Sequence, residues 1–179
     1  MKMLLQRVIC LAVGLVAVDT MGAAKTFKVG EFNFAVPEKW EWVETSSPMR
    51  KAQLKIADPD KKGDAEVIFF HFGPGNGGGT QANVDRWLGQ FKEPKDKINS
   101  KVDNTTVNNR KVTYVQAEGT YLAGMPGGPK TEQANAMLLG AILESGEGNV
   151  FIRMTGPAAL VKSSKQGFTQ MVEGALKGK

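Results

Sequence analysis

The chain has 179 residues, a formal net charge of +5 and a single cysteine, Cys10. The basic excess is mild and charges of both signs are interspersed, so the composition does not indicate a surface for nucleic acid or for lipid headgroups. Beyond Cys10 no thiol remains, which excludes disulfides, thiolate catalysis and cysteine-ligated metals in the rest of the chain.

Residues 1–24 have the pattern of a secretory signal peptide. Basic residues precede an apolar run at 8–18, and Gly22 and Ala24 supply the two small residues that signal peptidase requires. The apolar run is too short to span a bilayer. We therefore predict cleavage after Ala24, a periplasmic or secreted protein without stable membrane insertion, and one domain at 25–179.

The first segment of that domain predicts a hairpin with strands at 26–29 and 31–36. Trp40 and Trp42 follow on one face of an extended segment. These two rings either form an exposed platform for sugars or peptides or pack beneath a helix, which is the commoner arrangement.

A strand at 50–57 and a turn lead into the segment 65–72, which is apolar on both faces. One face carries Val67, Phe69 and His71, and the other carries Ile68, Phe70 and Phe72. Two apolar faces are typical of a strand inside a sheet that has a layer on each side. We therefore predict a central strand here.

A glycine-rich loop at 73–79 leads into a short amphipathic helix at 81–91. Its buried stripe consists of Val84, Trp87, Leu88 and Phe91. Thr80 is predicted as the N-cap, since its hydroxyl can accept a hydrogen bond from a free backbone N–H. A polar stripe of Asn83, Arg86 and Gln90 lies beside the buried one and faces either a partner or water.

The loop and the start of this helix form a candidate site for an anion or a small ligand. The predicted ligand-binding residues are Gly75, Asn76, Gly77, Gly78, Gly79, Thr80 and Arg86. Bare backbone amides before a helix N-terminus favour an anion, although the Lys-Ser/Thr pair of a P-loop is absent. Arg86 either pins the loop or holds a carboxylate. The alternative is a flexible connection without a ligand.

His71 is the only histidine, and it either fills the core with one hydrogen-bond partner or serves a hydrolase as its base. No ordered triad and no HExxH-like set accompanies it. We therefore predict a protein that is not an enzyme and has no metal and no cofactor.

The second half of the chain predicts more strands. Residues 101–107 and 110–121 pair across Asn108 and Asn109, which suit the positive φ angles of a tight hairpin. Residues 132–143 form a second strand with two apolar faces. A strand at 150–154 and a helix after Pro157 complete the chain.

Two helices and about seven strands in this order predict an α+β fold, an α/β/α sandwich with a mostly antiparallel twisted sheet. The direction of successive elements places the loop 73–79 and the turns 108–109 and 145–148 at one end of the sheet. A Gly/Pro-rich loop at 123–130 lies at the opposite end, so the two glycine-rich loops are not expected to form one site.

Met125 and Pro126, in the second loop, are predicted to bind a protein partner. A long loop between paired strands often binds something, and methionine suits an adaptable contact. A mobile hairpin tip is the alternative.

The segment from Phe32 to Trp40, with a strand, a proline and a tryptophan three residues later, resembles the PsbP-like superfamily. The stretch from Phe72 to Thr80, with Asn83, Arg86 and Trp87 after it, resembles uncharacterised exported bacterial proteins of that type. The resemblance implies an α/β/α sandwich, shared with the envelope protein DcrB and a Ran-binding import factor. It also implies accessory or protein-binding roles without a common enzymatic activity.

Three hypotheses follow for the function. The first is an exported, non-catalytic accessory or protein-binding module of the cell envelope, whose partner is an unidentified envelope protein. The second is a binder of small ligands or anions that uses the loop from Gly73 to Thr80. The third is a hydrolase that uses His71.

Overall fold

The structure is a computed structural model that describes residues 25–124 and 127–178. The predicted signal peptide at 1–24 and the predicted partner contacts Met125 and Pro126 lie outside the described residues. Their roles therefore stay predictions.

The described residues form a seven-stranded antiparallel sheet, a separate hairpin and two helices. The hairpin consists of β1 (Thr26–Val29) and β2 (Phe32–Ala35). The sheet strands are β3 (Glu41–Trp42), β4 (Arg50–Ile56), β5 (Ala65–His71), β6 (Asn99–Val107), β7 (Arg110–Ala123), β8 (Thr131–Leu143) and β9 (Val150–Pro157). They lie in the order β3-β4-β5-β9-β8-β7-β6. The helices are α1 (Thr80–Leu88) and α2 (Ala158–Lys177). The predicted α+β class and seven-stranded sheet are confirmed.

Each face of the sheet is covered, and we name the faces after the helix that covers them. The α2 face packs against α2 and the hairpin, and the α1 face packs against α1. Neighbouring residues of β8 point to opposite faces: Met137 and Leu139 contribute to the α2 face, and Leu138 and Ile142 contribute to the α1 face. β5 lies between β4 and β9. Both strands with two apolar faces are therefore internal, as predicted.

Aromatic rings join the hairpin to the α2 face. The ring of Phe27 lies 5.4 Å from that of Phe34 and 5.0 Å from that of Phe69. Trp42 packs edge-on against Phe27 at 5.3 Å, and Trp40 is also partly buried against this core. The two tryptophans therefore pack against the core rather than forming an exposed platform.

Helix α1 differs from its prediction at both ends. Gly79, not Thr80, occupies the N-cap position, and the Thr80 hydroxyl donates to Glu144 Oε1 at 3.1 Å. The helix ends at Leu88, three residues earlier than expected, and Phe91 instead forms a β-bridge with Tyr121. The predicted stripe still faces inward, because Val84, Trp87 and Phe91 are buried and Leu88 is partly buried.

The predicted placement of the loops is confirmed. Asn108 and Asn109 have φ angles of 49° and 62°, as a tight hairpin requires. Antiparallel pairing of β5, β9, β8, β7 and β6 puts residues 73–79, 108–109 and 145–148 at one end of the sheet, which we call the upper end. The loop after β7 begins at the lower end.

Candidate functional site

Asn83 holds the glycine loop to α1. Its side chain is fully buried, and its Nδ2 donates to Gly77 O at 2.9 Å and to Gly79 O at 3.0 Å. Arg86 Nη2 in turn donates to Asn83 Oδ1. The prediction that Asn83 faces a partner or water is therefore wrong, because the amide satisfies loop carbonyls. Among the described residues, Arg86 is connected to the loop through Asn83.

Gly77 rests on two aromatic rings. Its φ is +85°, and a Cβ atom there would lie 2.7 Å from Phe72 Cδ2 and 2.9 Å from Phe151 Cε2. Only glycine accommodates both the left-handed backbone and this close approach. The glycine loop therefore packs closely on these two rings, and its position depends on them.

The predicted anion site lies at the upper end of the sheet. The predicted residues from Gly75 to Thr80 lie together there, and most are exposed. The carboxylate of Glu144 accepts the Thr80 hydroxyl at the start of α1. A negative charge near a helix N-terminus already complements its dipole. Binding of an external anion by this loop stays a prediction.

His71 is the last residue of β5 rather than a mid-strand residue, and it is partly buried. Its Nε2 lies 3.1 Å from the carbonyl oxygen of Glu147. No side chain of the described residues hydrogen-bonds to the imidazole, so its contacts give no support to the hydrolase hypothesis.

A groove that the sequence did not predict lies on the α1 face. It is bounded by the segment 43–49, by β4, β5 and β9, and by α1, and it has a volume of about 630 Å³. Its apolar wall is formed by Val43, Met49, Phe70, Phe72, Trp87 and Phe151. We call this cavity the α1-face groove. Its volume falls in the range of small-molecule sites.

Three arginines line the α1-face groove, and none of them forms an ion pair with any described residue. Arg50 Nη1 donates to Gln53 Oε1 at 2.7 Å. Arg153 Nη1 donates to Gln90 Oε1 at 2.9 Å. Arg86 donates to the amide of Asn83. Each arginine is thus held by a neutral partner, and its charge is left uncompensated by contact.

Two carboxylates lie close to these arginines. Glu44 is exposed at the groove and accepts a hydrogen bond from the Trp42 indole at 2.8 Å. Glu66 accepts from Gln53 Nε2 at 3.2 Å, below the groove. With two carboxylates against three guanidiniums, the surroundings of the groove keep a positive balance.

Arg153 is unusual among the three because it projects from the middle of the sheet. It is paired with Ile68 on one side and Gly140 on the other, and its Nε is buried without a hydrogen-bond partner among the described residues. Burial lowers the pKa of its guanidinium, and the positive charges of Arg50 and Arg86 act in the same direction. The guanidinium still stays charged at neutral pH. A partly buried charge without a counter-ion costs folding free energy.

The groove continues towards the lower end of the sheet. A second cavity of about 790 Å³ shares Arg50, Arg153 and Gly124 with the α1-face groove. Gly124 belongs to the second glycine-rich loop. The two glycine-rich loops lie at opposite ends, as predicted, but one continuous depression runs from Phe72 beside the first loop to Gly124 in the second.

One sequence signal could have found this site. Arg153 interrupts the apolar run Val150–Met154. A charge in the middle of an internal strand needs a polar partner or an opening above it. Three-dimensional proximity to Arg50 and Arg86 could not be inferred without the order of strands.

No group of three or more metal-ligating side chains occurs within residues 25–124 and 127–178. In the same residues, neither helix combines the length and the apolar character needed to cross a bilayer.

The chain combines an antiparallel sheet, a helix on each face and an added hairpin, and it has a PsbP-like fold. No protein-family model and no curated protein sequence matches the chain. The solution structure of cyanobacterial PsbP from Synechocystis is similar over 88% of this chain and 95% of that chain, with a TM-score of 0.52 and 10% identity. At this identity the likeness concerns the fold alone.

A Pseudomonas aeruginosa protein of unknown function, described as a putative regulator, matches with a TM-score of 0.41 and 11% identity. That match covers 85% of this chain and 95% of the other.

Proposed function

We propose that this protein is a non-catalytic accessory or protein-binding module of the cell envelope. The observation that carries the proposal is the α1-face groove, where apolar rings and three arginines face one cavity. None of these arginines has an ion-pair partner in the part of the chain that the structure describes. Such a cavity offers shape and charge for binding. The PsbP-like fold supports the same class of role.

The chemistry of the groove favours binding over catalysis. Its charged side chains are mainly guanidiniums, which do not exchange protons at neutral pH. A general base would have to lie within hydrogen-bond reach of a substrate proton. His71 is not among the groove residues and contacts a backbone carbonyl instead.

The partner that we propose is an envelope protein, contacted through the loop that contains Met125 and Pro126. The test is cross-linking and affinity purification of the tagged protein from native envelopes, followed by mass spectrometry. We expect one reproducible partner, and we expect Met125→Asp to reduce its recovery at least tenfold. Val102→Asp is the matched control, since Val102 is an exposed apolar residue on the edge strand β6. Equal recovery with both variants would remove the loop from the proposal.

Export is the other part of the proposed function. Expression of the full chain should yield a processed protein that begins at Lys25 and fractionates with the periplasm or the medium. N-terminal sequencing of the purified protein and cell fractionation measure this directly. An intact N-terminus in the cytosolic fraction would refute it.

A further inference from the structure

We propose that the α1-face groove binds the carboxylate of an amphipathic small molecule, with the carboxylate at Arg50 and Arg153 and the apolar body along Phe70, Phe72 and Phe151. The proposal rests on the proposed binding function and names its ligand. The contacts and charges that carry it are all on the α1 face.

Arg50 and Arg153 each have N–H donors that no described residue uses. A guanidinium carries five N–H groups in a planar fork that matches a carboxylate bidentately. Within residues 25–124 and 127–178, only Nη1 of Arg50 and Nη1 of Arg153 are engaged, each by a glutamine oxygen. Gln53 and Gln90 hold these side chains in place without neutralising them. The arginines are therefore oriented for an anion before it arrives.

The charge balance favours a single negative charge on the ligand. Arg50, Arg86 and Arg153 carry three positive charges at the groove, and Glu44 and Glu66 carry two negative charges beside it, so one positive charge remains. Arg86 donates to the Asn83 amide, which leaves Arg50 and Arg153 as the principal donors to a ligand. A monoanion completes the neutralisation, and a dianion would exceed it. This balance selects a carboxylate over a phosphate monoester, which carries nearly two charges at neutral pH.

The apolar wall begins beside the arginines. Arg50 pairs with Phe70 across β4 and β5, and Phe70 pairs with Phe151 in β9, the strand that also carries Arg153 two residues later. The Phe72 ring lies 6.3 Å from both the Phe70 and the Phe151 rings. An anionic head at the arginines therefore places its body directly on three aromatic rings.

The extent of the wall sets the length of the ligand. Arg153 is level with Ile68, four residues before Phe72. At about 3.4 Å per residue this distance is roughly 14 Å, which suits an extended alkyl chain of about ten carbons. Phe72 is 39% exposed at the upper end of this wall, so covering it also removes apolar surface from water.

The test is isothermal titration calorimetry of the mature protein with decanoate as the probe. Decanol has the same body without the charge, acetate has the charge without the body, and decyl phosphate carries the alternative head. We expect decanoate to bind at least tenfold more tightly than each of the other three. Absence of decanoate binding, or equal binding of decanol, overturns the proposal. Tighter binding of decyl phosphate overturns the assignment of a carboxylate.

The same calorimetry on protein variants shows where in the structure decanoate binds. Arg153→Met and Arg50→Gln should each weaken decanoate at least tenfold and leave decanol unchanged. Lys165→Gln is the matched control, because Lys165 lies on α2, on the opposite face, and bonds only Gln116 there among the described residues. Weakening by the control as much as by the arginine variants overturns the location.

Phe72→Ala keeps the test valid if Arg153→Met does not fold. This variant removes a partly exposed ring that also supports Gly77, and it should weaken decanoate at least fivefold without changing acetate binding. Equal decanoate binding by Phe72→Ala and the wild type overturns the proposed position of the body. Recovery of the envelope partner is measured separately. If the groove does not bind decanoate but the partner is still recovered, the proposed ligand is refuted and the proposed binding function is not.

Discussion

Asn83 shows how one side chain fixes the upper end of the α1 face. It is fully buried, and its amide joins two carbonyls of the glycine loop to the guanidinium of Arg86. Asn83→Ala removes the side-chain partner of Gly77 O and of Arg86, while Gly79 O keeps the backbone N–H of residue 83. We therefore expect a loss of about 1–3 kcal/mol in the free energy of unfolding. Urea denaturation followed by far-UV circular dichroism measures it.

The control for this variant is Gln81→Ala on the same helix. Gln81 is exposed and bonds only Asp85 among the described residues, so its loss should change stability by less than about 0.5 kcal/mol. Equal effects of the two substitutions would mean that the loop is not held by Asn83.

Tyr114 gives the molecule a dependence on alkaline pH. Burial raises the pKa of its phenol to about 12, helped by the negative charge of Glu173. Because the folded pKa lies above the unfolded value, the neutral phenol contributes stability that is fully present below about pH 10. That contribution is lost as the pH rises through 12.

The matching variant is Tyr114→Phe. The Tyr114 hydroxyl is buried without a hydrogen-bond partner among the described residues, so its removal breaks no bond. We expect stability at pH 7 to be unchanged or to rise by up to about 1 kcal/mol. We also expect a shallower fall of the melting temperature between about pH 10 and 12, measured by circular dichroism. An alkaline fall identical to that of the wild type would contradict the assignment.

The residue-scale features were only partly predictable from the sequence. Alternation of apolar residues identifies a buried face because it depends on neighbours two positions apart. The partners of Thr80 and Arg153 are tens of residues away, at Glu144 and Gln90. The N-cap prediction for Thr80 failed for this reason, since a local rule cannot anticipate a competing carboxylate from Glu144, just past the end of β8.

At the scale of elements, the contact between α1 and the sheet depends on Gly140 in β8. A Cβ atom at Gly140 would lie 2.6 Å from Trp87 Cε3, closer than such atoms pack. Gly140→Ala therefore has to displace the indole or the helix. We expect it to cost about 1–3 kcal/mol, as overpacking does, with a change in the tryptophan near-UV circular dichroism.

Gly174 in helix α2 serves as the control for replacing glycine by alanine, because its side-chain position is open whereas that of Gly140 is filled by Trp87. Gly174 is exposed in the helix interior, and nothing lies within 4 Å of the position of its missing Cβ. Gly174→Ala should stabilise the protein by about 0.5–1 kcal/mol, because alanine loses less backbone entropy in a helix. Destabilisation in a chemical melt would show that α2 is packed on that side as well.

Element boundaries were harder to predict than element types for a similar physical reason. The apolar stripe of α1 includes Phe91, so its periodicity extended the predicted helix past Leu88. Phe91 is buried, but it reaches that position through a β-bridge to Tyr121 rather than through helical geometry. Burial alone does not distinguish the two backbones.

At the scale of the whole molecule, the two cores share their strands. Phe151 packs on the α1 face and Ile152 on the α2 face, and Leu138 and Leu139 divide in the same way on β8. One layer is α1, and the other is α2 with the hairpin. If either layer separated from the sheet, it would expose one face of strands whose other face is still covered by the remaining layer. We therefore expect one cooperative unfolding transition, as is usual for a domain of this size.

The three tryptophans make this expectation measurable, because they are divided between the layers. Trp40 and Trp42 pack on the α2 face and Trp87 on the α1 face. In a Trp40→Phe, Trp42→Phe double variant, fluorescence reports Trp87 alone, and in Trp87→Phe it reports the other two. Within each variant, the fluorescence and far-UV circular dichroism midpoints in urea should coincide, since the sheet carries both cores. An earlier fluorescence midpoint for Trp87 than for the sheet would mean that α1 and the glycine loop open as a separate unit of lower stability. The α1-face groove would then be formed by a layer that opens before the sheet unfolds, and its ligand would stabilise that layer in preference to the rest.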